Sequence, residues 1–93
     1  MKAYTEKEIN EKLKDFEGWE YDDNAIHTAF EFADFKEAFS AMTRIAFEAE
    51  KMQHHPDWHN VYNTVNITLS THDADGVTDK DFELAKLIDE LLG

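Results

Sequence analysis

Three helix-opening signatures, with a pair of alternating segments between each and the next, constrain this chain more than any bulk property. Thr5-Glu6-Lys7-Glu8, Asp34-Phe35-Lys36-Glu37 and Thr78-Asp79-Lys80-Asp81 each place a capping oxygen three residues ahead of an acidic side chain. That spacing satisfies the orphan amides at a helix N-terminus. The first helix carries Ile9, Leu13 and Phe16 and ends at Gly18. In the second, Phe35, Ala38, Phe39, Met42, Ile45, Ala46 and Ala49 recur at helical spacing, which predicts one stripe facing the core. It should run to about Gln53 or His54. His55 precedes Pro56, the only proline, and a residue before proline is pushed out of the α region. The helix therefore breaks at the two histidines. The third helix carries Phe82, Leu84, Ala85, Leu87, Ile88, Leu91 and Leu92.

Between the helices the period changes to two. Residues 19–22 and 25–32 read as a hairpin turning at Asp23-Asn24, with Ile26, Thr28, Phe30 and Phe32 on one face. Residues 58–62 and 65–71 read as a second pair joined through Tyr62-Asn63-Thr64, and Asp73-Ala74-Asp75-Gly76 as a loop. The expected fold class is α+β, in the order α-β-β-α-β-β-α. It is a four-stranded antiparallel sheet with three helices packed on one face, forming a single domain over residues 1–93.

Composition narrows the function. Hydrophobic residues make up 42% and aromatic residues 13% of the 93 residues, enough for a core. A chain this short is marginal alone, so self-association is expected. Without cysteine there are no disulfides, thiolate zinc sites or cysteine nucleophiles. A formal charge of −12 opposes direct binding to nucleic acid or to anionic membranes. No apolar segment follows Met1-Lys2-Ala3-Tyr4, and no run approaches the roughly 18 apolar residues of a membrane span. A soluble, cytoplasmic protein is the expectation.

Five histidines are many for this length. His54 and His55 fall at a helix end and His72 at a strand end, where a rigid scaffold presents reactive groups. Glu50, four residues before His54, would share its face on a continuing helix and orient its imidazole. His72 has no obvious acidic neighbour except Asp73 or Asp75. One imidazole beside a carboxylate and one without suit a reaction needing an acid and a base. Polar capping is the plain alternative for the pair, and solvated faces suit His27 and His59. Trp58, two residues beyond Pro56, could wall a flat heterocycle or simply pack. Asp81 completes a capping box without any catalytic role.

Other chemistry fits less well. His54, His55, His59 and His72 could supply three imidazoles to zinc, but adjacent side chains at a helix break diverge and no His-Glu-x-x-His pattern exists. The loop from Asp73 matches a calcium loop for four residues only, with Leu84 where the bidentate glutamate should stand. No glycine-rich loop cradles a phosphate, and Ser40 and Ser70 lack a nucleophile-elbow context.

Read together, Glu50-x-x-x-His54-His55-Pro56, Tyr62, His72 and Asp81 resemble the signature of the pterin-4a-carbinolamine dehydratases. The similarity extends through Met42-Thr43-Arg44, Asp57-Trp58, Asn60-Val61-Tyr62-Asn63 and Ile67-Thr68-Leu69-Ser70-Thr71-His72, covering about residue 38 to the C-terminus. The resemblance implies removal of water from 4a-hydroxytetrahydropterin to give quinonoid dihydropterin, recycling the cofactor of aromatic amino-acid hydroxylases. It implies no cofactor and no metal. His54 and His72 would form the acid/base pair, and His55 would bind and orient the pterin. Glu50 would tune His54, and Asp81 would be site-proximal. The substrate would meet His54, His55, Pro56, Trp58, Thr71, His72, Asp73 and Ala74. A homodimer through sheet edges or a homotetramer through the central helix is implied as well. Two alternatives stand: a protein-binding module that stabilises a transcription-factor dimer, and a dehydratase-like protein of molybdopterin metabolism.

Overall fold

All three caps form. In the computed structural model, which describes residues 2–93, Thr5 and Thr78 close full capping boxes with Glu8 and Asp81. The Asp34 carboxylate accepts the Glu37 amide at 2.8 Å. They open α1 (Glu6–Lys12), which tightens into a 3-10 turn over Leu13–Asp15, α2 (Phe35–Met52) and α3 (Asp79–Leu92). Met1, the first residue of the expected domain, lies outside the described residues.

The strands are β1 (Glu20–Asp22), β2 (Ala25–Glu31), β3 (Asp57–Val61) and β4 (Thr64–Leu69), in the spatial order β1-β2-β4-β3 and antiparallel throughout. Asp23 and Asn24 both take positive φ, 49° and 62°, as a two-residue hairpin turn of type I′ requires. Trp19, read as strand, instead lies buried ahead of β1. Its indole N–H donates to the Asp89 carboxylate at 3.1 Å, fastening the start of the sheet to α3. The segment 65–71 also stops short as a strand: β4 ends at Leu69, and Thr71 forms a separate bridge to Gly76.

Register puts the apolar residues on one side. Ile26 faces Leu69, Thr28 and Trp58 flank Ile67, and Phe30 faces Val65. Ile9, Ala38, Ile45, Ala49, Leu84, Ala85 and Ile88 from the helices pack over them. The expected α+β architecture, with three helices covering one face of a four-stranded antiparallel sheet, is present.

The stripe on α2 is rotated from the expected one. Ala38, Ala41, Ile45 and Ala49 are buried, whereas Phe35 is 49% and Phe39 56% exposed, and Ala46 is also exposed. Alanines allow α2 to lie close to the layers beneath it. The two phenylalanine rings are left on the outer flank, with centroids 5.8 Å apart.

Candidate active site

The end of α2 decides where the adjacent histidines point. Gln53 takes the left-handed conformation, φ 56° and ψ 40°. Its amide bonds to the Glu50 carbonyl and the His54 amide reaches back to the Ala49 carbonyl, both at 3.1 Å. This is a Schellman ending with glutamine where glycine is usual. The helix thus ends at Met52, Gln53 turns the chain, and His54 leaves the helical face that Glu50 occupies.

The consequence corrects the expected pairing. Glu50 does not meet His54; its carboxylate lies 2.8 Å from His55 Nε2, and both side chains are largely exposed. His55 holds the Glu50 carboxyl below the usual carboxylate range, chiefly through this hydrogen bond and then through charge. His54 turns inward, is 9% exposed, and places Nε2 2.6 Å from Asp81 Oδ1. Asp81 is therefore more than a helix cap. From the first turn of α3 it accepts from its own cap residue and contacts an imidazole 27 positions upstream.

The second wall comes from the segment after β4. The Thr71 amide donates to the Gly76 carbonyl at 2.7 Å, closing a loop around a 3-10 turn, His72–Ala74. His72 opens that turn and is exposed. Thr71 is buried and bonds through its hydroxyl to Asp81 Oδ2 at 2.8 Å and to Thr78 Oγ1 at 2.6 Å.

His54, His55, Thr71, His72 and Asp73 line one cleft of about 290 Å³, near the small end of ligand pockets. Gln53, Ser70 and Lys80 complete its wall. The sequence assigns none of these three to the site. Their only signal is adjacency, since each is next to a histidine, a threonine of the site, or the α3 cap. Pro56, Trp58 and Ala74 do not line the cleft. Trp58 packs against the core from the helix-covered side of the sheet. Tyr62 lies at the β3–β4 turn with φ 53° and is 62% exposed.

A larger groove of about 640 Å³ runs along α1 and β1, lined by Trp19, Glu20, Asp22 and His27 among others. Size does not make it reactive. Both ring nitrogens of His27, its one imidazole, are engaged at 2.9 Å, by Thr68 Oγ1 and by the Asp22 carbonyl. Among the described residues no cluster of three or more His, Asp or Glu side chains has metal-binding geometry.

Comparison with known proteins supplies the family. Residues 2–91 match the sequence profile of the family described as Pterin 4 alpha carbinolamine dehydratase. The chain belongs to this family. A provisionally named pterin-4-alpha-carbinolamine dehydratase of Christiangramia forsetii is 60% identical over 92 residues, 99% of this chain and 95% of its own length. Another of the same provisional name, from Burkholderia orbicola, is 53% identical over 87 residues, 91% of this chain and 85% of its own. A crystal structure titled as a transcriptional coactivator/pterin dehydratase from Brucella melitensis superimposes with a TM-score of 0.94 at 43% identity. It covers 98% of this chain and 99% of that one. A pterin dehydratase-like protein identified as a RuBisCO assembly factor shares the fold at TM-score 0.67 and 20% identity.

Proposed function

We propose that the chain dehydrates 4a-hydroxytetrahydropterin to quinonoid dihydropterin. One observation carries the reading: two segments far apart in the sequence bring His54, His55 and His72 to one cleft in a member of the dehydratase family. In the reaction the C4a–O bond breaks with its electron pair leaving on oxygen. A proton is delivered to that oxygen, the N5 proton is lost, and a C4a–N5 double bond forms. Water is the only by-product, so positioned acid and base groups suffice.

His54 and His72 are the proposed acid/base pair. One is buried and held by a carboxylate, and the other is exposed on the opposite wall. His55, oriented by Glu50, binds and orients the pterin, and Thr71 and Asp73 edge its ring. The reading includes a cytoplasmic location and a homodimer or homotetramer. The exposed Phe35, Phe39 and Phe47 on α2 support self-association. The coactivator title of the Brucella structure favours one second reading, in which the same apolar face holds a protein partner.

The test is stopped-flow absorbance of 4a-hydroxytetrahydropterin decay with chelator present. Acceleration by the wild-type chain, lost in a folded His54→Ala/His72→Ala variant, is the expected result. No acceleration by the folded wild-type protein overturns the enzymatic reading.

A further inference from the structure

The hydroxyl hydrogens around Asp81 can be assigned one by one. Asp81 Oδ2 receives the Thr78 amide at 2.9 Å, and an amide can only donate. Thr71 Oγ1 lies 2.8 Å from the same oxygen and donates its single hydrogen there. Thr78 Oγ1 is 2.6 Å from Thr71 Oγ1. Because the Thr71 hydrogen is committed, Thr78 is the donor in that pair. Thr78 Oγ1 in turn accepts the Lys80 amide at 3.3 Å. The remaining carboxylate oxygen, Oδ1, meets His54 Nε2. Thr78 and Asp81 are 0% exposed, Thr71 8% and His54 9%. Water therefore cannot readily replace a missing donor, and leaving a buried partner unsatisfied is costly.

We propose that Thr78 is a positioning residue for His54, acting through Thr71 and Asp81. The chain of donors holds the carboxylate in one orientation, and the carboxylate keeps the imidazole proton on Nε2. Nδ1 is then the ring nitrogen left to exchange a proton in the cleft. The helix cap of α3 and the orientation of the reactive imidazole are thus one device, because Thr78 and Asp81 serve both. The kinetic part of this inference rests on the dehydratase reading, whereas the tautomer does not. The logic is that of a carboxylate that orients a catalytic histidine, with the addition that this carboxylate is itself oriented.

The test has two arms. Two-bond proton–nitrogen NMR of the substrate-free protein should show neutral His54 with its proton on Nε2. Thr78→Val and Thr71→Val should shift it toward a mixture with the Nδ1-protonated form. In turnover, Thr78→Val should lower kcat about 10-fold with KM within about 2-fold, and Thr78→Ser should restore both readouts. Thr5→Val removes a capping box of the same design on α1, whose residues do not line the cleft, and should change neither. Thr71→Val leaves the α3 cap in place and reports the tautomer even if Thr78→Val fails to fold. A wild-type tautomer in folded Thr71→Val overturns the proposal, as does a kcat loss in Thr5→Val equal to that in Thr78→Val. If wild-type protein shows the Nε2 proton but no pterin turnover, the dehydratase reading fails and the positioning survives.

Discussion

His54 and His55 are neighbours in sequence but differ in every physical respect that matters to a proton. His54 is buried against Asp81, and His55 is exposed against Glu50. The proposed division of labour follows from that contrast. His54→Ala and His72→Ala should each lower kcat by about 10²-fold or more, whereas His55→Ala should mainly raise KM. Stopped-flow rates at saturating and limiting pterin separate the two outcomes, and full rate in all three folded variants would remove the assignment. The Glu50–His55 pair makes a second prediction. Because the Glu50 carboxyl is lowered in the folded protein by the His55 hydrogen bond and charge, its contribution to stability is present above the range where the unfolded carboxyl titrates. It is lost as pH falls through the folded value. An exposed pair contributes little, so the sensitive observable is the titration itself. By carbon-13 NMR the Glu50 midpoint should rise in His55→Ala, and an unmoved midpoint would show that the imidazole is not its partner.

The helices and hairpins were readable from the chain because their signals are local. Capping boxes at Thr5 and Thr78, the Asp34 cap and the Asp23-Asn24 turn each use residues within four positions of one another. What could not be read was the direction taken on leaving an element. Glu50 and His54 are four apart, and the helical rule makes them neighbours. A single left-handed residue between them cancels the rule and hands Glu50 to His55. The His54–Asp81 contact spans 27 positions and has no local signal. Gln53 is therefore the hinge on which the site depends, and it is not glycine. A side chain in the left-handed region costs about 1–2 kcal/mol, which glycine avoids at some cost in chain entropy. Gln53→Gly should accordingly stabilise the fold by about 0.5–1 kcal/mol while preserving the cleft. Gln53→Val should destabilise it and lower activity, since a β-branched residue resists positive φ. Urea midpoints measured alongside turnover check both. A Gln53→Gly variant less stable than wild type would mean that the Gln53 side-chain bond to the Glu50 carbonyl, at 2.7 Å, outweighs the strain.

At the scale of the whole molecule, hydrophobic periodicity on α2 carries two messages that a sequence cannot separate. Core and interface residues are both apolar and both recur at helical spacing, so Phe35 and Phe39 read as core although the fold leaves them outside. Only the position of α2 over the sheet distinguishes them, and that position is set by the alanine row at Ala38, Ala41 and Ala49. In the proposed oligomer, burial of rings of this size on a chain of 93 residues would favour association, while a formal charge of −12 on every copy would oppose it. The two forces respond differently to salt. Repulsion between like-charged copies is screened over about 8–10 Å at physiological ionic strength, whereas burial of the rings is not weakened. Light scattering after gel filtration should therefore show an oligomer whose dissociation increases as salt is lowered. Phe35→Glu/Phe39→Glu should convert it to a smaller species at every salt concentration, with helix content unchanged by circular dichroism. An oligomer of unchanged mass in that folded variant would move the interface off α2. The exposed β3 edge, with Val61 at 69% exposure, would be the next surface to alter.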